Sequence, residues 1–139
     1  MPALDTFHHS VRIALIKDGW TVTHDPLTLR VGGDRVHIDL AAERLIAAEK
    51  GVRKIAVEIK TFAGASPIND LEDALGQYIV YRMALRRAEP GRELYLAVPQ
   101  PVVITQFTSR ELWMAFFTDE NGKVVGYDVD TEEITQWIP

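Results

Sequence analysis

The 139-residue chain contains no cysteine, which excludes a disulfide framework, a thiolate metal site and a cysteine nucleophile. No apolar run approaches the roughly 20 residues that a membrane-spanning helix requires. The first ten residues also lack the charged-then-apolar layout of a signal peptide. These absences predict a cytoplasmic protein with no membrane segment. The length of the chain predicts a single domain over residues 1–139.

Positive charge is scarce as well. The chain has 15 Lys and Arg residues against 20 Asp and Glu residues, a formal net charge of −5, and no basic tail. Proteins that bind nucleic acid through many phosphate contacts are usually basic overall. If this chain contacts nucleic acid, it must therefore use a local patch, a metal, an oligomer or a partner protein. An acidic total is also compatible with a carboxylate-rich metal site.

Apolar residues at helical spacing predict a first helix over residues 4–18, which Gly19 ends. His8 and His9 lie in its first two turns, where one of them can face the same side as Asp5. A His at such a position is more often a surface or packing residue than a functional one. Asp5 and His8 are therefore predicted only as supporting residues of any site.

Two short strands are predicted around the turn signal Gly32-Gly33-Asp34, over residues 27–31 and 35–40. Alternation in the second arm places apolar side chains, including Leu40, on one face. Asp39 is predicted to lie on the opposite, polar face of this arm.

The next stretch, residues 41–50, supports two interpretations, because its composition favours a helix while a strand pairing with residues 53–60 is equally consistent. A long helix follows, for which Asn69 or Asp70 is the predicted cap. Residues 93–98 have the near-continuous apolar character of a strand buried on both faces. The pattern of the C-terminal third predicts a helix followed by a β-hairpin. This order predicts an α/β (α+β) protein with a mixed central sheet flanked by helices.

Residues 54–60 alternate with period two and are rich in β-branched residues, which predicts a strand with Glu58 and Lys60 on one face. A solvated, charge-paired surface strand is the plainer interpretation of this stretch by itself. If the strand is central, however, a buried carboxylate and ammonium need a partner or a metal. Asp39 arrives from a neighbouring strand with the same orientation, and two carboxylates brought together repel unless a hard cation relieves them.

This set of residues suits phosphodiester hydrolysis. Asp39 and Glu58 are the predicted ligands of Mg²⁺ or Mn²⁺, and Lys60 is predicted to orient the attacking water or stabilise the phosphate in the transition state. Gln77, on the long helix and expected to face the sheet, is predicted to position Lys60 or a phosphate. DNA is the predicted partner.

Near the end of the same helix, Arg82, Arg86 and Arg87 suit the negative end of the helix dipole. They could also form a small phosphate-binding patch, in which Arg82 and Arg86 are the predicted DNA-binding residues. The helix-dipole interpretation is the plainer of the two.

The ordered set of Asp39, then Glu58-x-Lys60, then Gln77-x-x-x-Tyr81 in an αβββαβ frame resembles the PD-(D/E)XK nuclease superfamily. The resemblance implies a restriction-endonuclease-like core with Mg²⁺-dependent deoxyribonuclease chemistry. The 18 residues at positions 40–57 exceed what a tight hairpin requires. For that reason Glu43 and Glu49 are alternatives to Asp39 as the second metal ligand.

A second resemblance runs along nearly the whole chain. The stretches DGWTVTHDPLTLR, IDLAAERLIAAEKG, KIAVEIK, DLEDALGQY, RELYLAVP and WIP are similar to the XisH family, the fdxN-element excision controlling factors of cyanobacteria and similar bacteria. The resemblance implies a role in DNA excision alongside a site-specific recombinase and a companion factor, XisI. A non-catalytic accessory protein on a nuclease-like scaffold is the alternative function, and the acidic net charge favours it. The oligomeric state stays open, with a homo-oligomer as one possibility.

Overall fold

Helices cover both faces of a six-stranded mixed sheet in the computed structural model, which describes residues 4–46 and 51–139. The elements in chain order are α1 (Leu4–Lys17), β1 (Thr21–His24), β2 (Leu27–Val31), β3 (Asp34–Ile38), β4 (Leu40–Ile46), β5 (Gly51–Ile59), α2 (Pro67–Ala88), β6 (Arg92–Pro99), α3 (Gln100–Val102), a π-helical turn (Val103–Phe107), α4 (Glu111–Thr118), β7 (Val124–Asp128) and β8 (Glu133–Ile138). Among the described helices, none is long and apolar enough to cross a membrane.

The strands of the large sheet lie in the order β1-β4-β5-β6-β7-β8. The β1–β4, β4–β5 and β7–β8 pairs are antiparallel, whereas the β5–β6 and β6–β7 pairs are parallel. Because two parallel neighbours cannot be joined by a tight turn, α2 crosses over the sheet between β5 and β6. The predicted α/β class and the mixed, helix-flanked sheet are confirmed.

The region between α1 and α2 holds five strands, whereas the αβββαβ frame has three. The predicted hairpin is present as β2 and β3, but these strands form a separate two-stranded sheet. Residues 40–46 form a strand, so the strand interpretation of this stretch holds and the helix interpretation does not. Positions 47–50 lie outside the described residues.

Asp39 lies at the bend between β3 and β4, so its predicted place within the hairpin arm was wrong. The chain passes from the small sheet to the large sheet at this residue. Ile38 and Leu40 consequently enter the two different cores, and they do not share one face.

Each face of the large sheet has its own apolar core, as expected for a sheet covered on both sides. On one face the core contains Leu71, Ala74, Tyr78 and Leu85 of α2 against Ala56, Leu94, Leu96 and Val98. On the other face it contains Phe7, Val11 and Leu15 of α1 against Ile55, Val57, Tyr95, Ala97 and Val125. β6 is buried along nearly its whole length, as its apolar run predicted.

α2 begins earlier than the sequence predicted. Ser66 is the N-cap and accepts a hydrogen bond from the Asn69 N–H group at 3.4 Å, while Pro67 occupies the first turn. Proline suits this position because its missing N–H group would lack a helical partner there. The prediction of Asn69 or Asp70 as the cap was wrong, and Asp70 instead accepts a hydrogen bond from the Gly64 N–H group at 3.0 Å.

Two buried tyrosines differ in how their hydroxyl groups are bonded. The Tyr78 hydroxyl donates to the Leu94 carbonyl at 2.9 Å and accepts from the Lys123 N–H group at 3.2 Å, so it ties α2 to β6 and to the loop before β7. Within the described residues, the Tyr127 hydroxyl is buried without a hydrogen-bond partner.

We expect Tyr78→Phe to lower the free energy of unfolding by about 1–3 kcal/mol, because it leaves two backbone groups unpaired in the interior. Tyr127→Phe is the matched control and should be neutral or stabilising, since its lost hydroxyl had no partner. Chemical denaturation of both variants measures the difference. Equal destabilisation by the two substitutions would contradict these hydrogen-bond assignments.

Candidate functional site

The pairing register of β4 and β5 brings two carboxylates together. Leu40 lies opposite Val57, so Asp39, one residue earlier, reaches Glu58, one residue later. The Asp39 N–H group donates to Glu58 Oε1 at 3.2 Å, and the Ile59 N–H group donates to Asp39 Oδ2 at 2.8 Å. Each carboxylate is therefore held by the backbone beside the other.

Lys60 adds an ammonium group to the same place. Its N–H group donates to the Ala97 carbonyl at 3.0 Å and so continues the parallel pairing of β5 with β6. Its Nζ atom lies 3.7 Å from Glu58 Oε2, with side-chain exposures of 23% for Lys60 and 8% for Glu58. The structure thus brings Asp39, Glu58 and Lys60 together.

These three residues border a cavity of about 410 Å³ at the end of β5. Its lining residues are Phe7, His8, Asp39, Glu58, Ile59, Lys60 and Thr61. Phe7 and His8 come from α1, which covers this end of the sheet. The cavity joins carboxylate, ammonium, imidazole and hydroxyl groups on one surface that a polar ligand can enter.

His8 is held in place by residues that the sequence analysis missed. Its Nε2 atom lies 2.8 Å from Asp25 Oδ1, and Arg12 Nη1 donates to Asp25 Oδ2 at 2.7 Å. Asp25 gives no sequence signal for this role, because the contact depends on how the end of β1 packs against α1. Thr61 was also missed, although its position directly after Lys60 is a signal that could have identified it.

The electrostatics of the site centre on Glu58. Burial raises the pKa of Glu58 to about 7, and the neighbouring Asp39 charge adds to this rise, while the Lys60 ammonium opposes it. Burial also raises the pKa of Tyr81, and the charges of Glu58 and Asp39 add to that effect. Tyr81 of α2 is therefore close enough to the carboxylates for their charge to act on it.

The donor set of this site fits Mg²⁺ or Mn²⁺. The described residues contain no group of three His, Cys, Asp or Glu side chains placed to hold a metal ion. Mg²⁺, however, is commonly held by one or two carboxylates, with water and substrate phosphate completing its coordination. The Asp39 and Glu58 carboxylates supply such a pair, and their mutual repulsion is what a cation relieves.

Comparison with known proteins identifies the family. Residues 1–135 match the family model described as XisH protein. The chain belongs to the XisH family.

Two solved structures of XisH-family proteins resemble the chain along almost its whole length. One is an XisH family protein from Nostoc punctiforme PCC 73102, with 46% identity and a TM-score of 0.86, covering 97% of this chain and 100% of that chain. The other is a fdxN element excision controlling factor protein from Anabaena variabilis, with 45% identity and a TM-score of 0.86, covering 97% and 99%. No match is found among curated proteins.

In this XisH-family chain, Gln77 does not face the sheet. It is exposed on α2, so the expected orientation was wrong, and no hydrogen bond joins it to Glu58 or Lys60 within the described residues. The sheet-facing positions of this part of α2 are Ala74 and Tyr78, which are buried. A catalytic role for Gln77 stays a prediction.

The alternative and supporting acids fall in different places. Glu43 lies on β4 opposite Lys54 of β5. Because Lys54 precedes Glu58 by four residues, Glu43 is displaced from Glu58 by about 13 Å along the strands. Glu49 lies outside the described residues, and for Asp5 the structure describes the helical backbone alone. Asp39 is thus the acid that the structure places beside Glu58.

We expect Glu58→Gln to stabilise the folded protein at pH 8. The folded state holds the Glu58 proton up to about pH 7, whereas an unfolded carboxyl group loses it near pH 4.5. The cost of ionising Glu58 therefore grows as the pH rises between these values, to on the order of 3 kcal/mol. The amide removes this cost, so the gain should be largest at pH 8 and absent at pH 4.

Urea denaturation at several pH values measures this gain. Glu43→Gln is the control, because it makes the same chemical change on the adjacent strand at a side chain that is 33% exposed. A stability gain from Glu58→Gln that does not depend on pH would contradict the elevated pKa.

Proposed function

We propose that this XisH-family protein is a DNA-excision controlling factor with a Mg²⁺- or Mn²⁺-dependent endonuclease-like site that hydrolyses DNA phosphodiesters, and that it acts in the cytoplasm. One observation carries the proposal. Asp39 and Glu58 are locked together by reciprocal backbone bonds, with the Lys60 ammonium 3.7 Å from Glu58, at the wall of one cavity.

The order of elements supports a PD-(D/E)XK, restriction-endonuclease-like core. Apart from the separate β2–β3 hairpin, the chain runs α1, β1, β4, β5, α2 and β6, which is the αβββαβ order of that superfamily. The candidate acids lie at the start of β4 and near the end of β5, and Lys60 follows directly. The proposed core thus places all three residues at one end of the central strands.

Each residue of the site has a separate role in the proposed phosphodiester hydrolysis. Asp39 and Glu58 would hold the cation, and Lys60 would orient the attacking water or stabilise negative charge on the phosphate. A bound Mg²⁺ or Mn²⁺ supplies activation of that water and neutralises charge that develops on the phosphate. The charges of both carboxylates act on Tyr81 of α2, and the proposal gives its hydroxyl the role of contacting a bound phosphate.

The elevated pKa of Glu58 makes cation binding depend on pH. Near pH 6 the pair retains the Glu58 proton, and a cation must displace it. Near pH 8 Glu58 has lost this proton, so the affinity for a divalent cation should be higher there.

The alternative function is an accessory protein that acts through protein partners and performs no cleavage. The observation that favours it is that the described residues offer only two carboxylates at the site and no third ligand side chain. In either case we propose that DNA, an XisI-like companion factor and a site-specific recombinase are the partners in excision.

We expect purified protein to cleave DNA in the presence of Mg²⁺ or Mn²⁺, and we expect Glu58→Gln and Lys60→Gln each to lower the rate by about 100-fold or more. Calorimetry should show Mn²⁺ binding that is tighter at pH 8 than at pH 6. Glu58→Gln should lose this binding, whereas Lys60→Gln should keep it, because Glu58 is a proposed ligand of the cation and Lys60 is not.

Glu43→Gln is the control and should retain both cleavage and Mn²⁺ binding. Equal residual cleavage by all variants would point to a contaminating nuclease and contradict the proposal. Absence of Mn²⁺ binding, combined with co-purification of an XisI-like factor, would favour the accessory function instead.

A further inference from the structure

A second polar cleft lies at the other end of the central strands. Its volume is about 260 Å³, and its charged lining residues are Arg82, Arg86, Arg92, Glu93 and Lys123. Arg92 pairs with Lys54, whereas Leu96, four residues later on β6, pairs with Glu58. The cleft is therefore displaced from the carboxylates by about 13 Å along the strands.

The cleft carries an excess of positive charge in a chain of net charge −5. Four of its lining residues are cationic, against the single carboxylate of Glu93, and Arg53 Nη2 lies 2.9 Å from that carboxylate. Arg92 is committed to the fold, since it bonds Glu89 and the Ile55 carbonyl. The remaining cations, Arg82, Arg86 and Lys123, form no ion pair with the described residues.

Hydrogen bonds hold the Arg82 guanidinium and the Lys123 backbone in place. Arg82 Nη1 donates to the Glu120 carbonyl at 2.6 Å, and its guanidinium lies 5.4 Å from the centre of the Tyr78 ring. The Lys123 backbone is held on both sides, because its N–H group donates to the Tyr78 hydroxyl and its carbonyl accepts from Leu96 at 3.0 Å. These two parts of the cleft are therefore preformed, which reduces the ordering cost of binding.

We propose that this basic cleft, formed by Arg82, Arg86 and Lys123, binds a backbone phosphate of a nucleic-acid strand. Its volume lies below the roughly 300–1,000 Å³ of sites for drug-sized ligands, so it fits a phosphate group better than a whole nucleotide. The displacement of about 13 Å corresponds to the axial rise of about four nucleotides in one DNA strand. Along this direction the offset between the two sites matches a short run of nucleotides.

The inference rests on the proposed function only in taking nucleic acid as the ligand, because phosphate binding by cations requires neither a metal nor cleavage. The probe is a fluorescently labelled DNA duplex in EDTA, with affinity measured by anisotropy at several salt concentrations. The test variants are Arg86→Gln and Lys123→Gln, since neither side chain makes a hydrogen bond within the described part of the protein. Arg87→Gln is the matched control, as Arg87 is an exposed neighbour of Arg86 that lines a different groove.

We expect each test variant to weaken DNA binding about threefold to tenfold at low salt, and to reduce the slope of log affinity against log salt by about one. Arg87→Gln should change neither quantity. Equal weakening by all three variants would show that net charge alone matters, and no weakening by Arg86→Gln or Lys123→Gln would likewise overturn the proposal.

Two further measurements separate the sources of phosphate and the two proposals. Millimolar inorganic phosphate should compete only weakly with DNA; strong competition would assign the cleft to a free phosphate compound instead. The binding measurement in EDTA contains no free divalent cation, and Glu43→Gln, which lies outside both sites, should bind DNA as the wild type does. Loss of binding by the cleft variants therefore tests the cleft, whereas cleavage and Mn²⁺ binding test the carboxylate site.

Discussion

The site depends on the register between β4 and β5. Leu40 lies opposite Val57, and this pairing brings the acid before β4 beside the acid near the end of β5. A shift of one residue would turn the side chains of one strand to the other face. The two hydrogen bonds between backbone N–H groups and the carboxylates of Asp39 and Glu58 therefore stabilise both this register and the geometry of the site.

This arrangement places two carboxylates that repel each other at a partly buried end of the sheet. Glu58 is only 6% exposed, and burial together with Asp39 disfavours its ionised form. Strongly perturbed carboxyl groups beside a cavity are typical of functional sites, because a purely structural position would rarely retain such a cost. Lys60 offsets part of this cost, but its Nζ atom at 3.7 Å from Glu58 is too distant for a direct hydrogen bond.

The sequence predicted local features better than the contacts between distant segments. Alternation in residues 54–60 correctly placed Glu58 on the same face as Ala56. The β4–β5 register that brings Glu58 beside Asp39 could not be predicted from the sequence. The reason is that residues 41–50 have a composition that favours a helix equally well. The orientation of Gln77 depended on the rotation of α2 against the sheet. Lys123 reaches the basic cleft only through a loop that Tyr78 anchors.

α2 contributes to both polar sites, with Tyr81 near the carboxylates and Arg82 in the basic cleft. It is a continuous helix of 22 residues, about 33 Å long, packed along the sheet. Such a helix does not shorten or extend, so it acts as a spacer of constant length between the two ends of the strands. The distance between the two polar sites is therefore fixed by the scaffold rather than by the residues of either site.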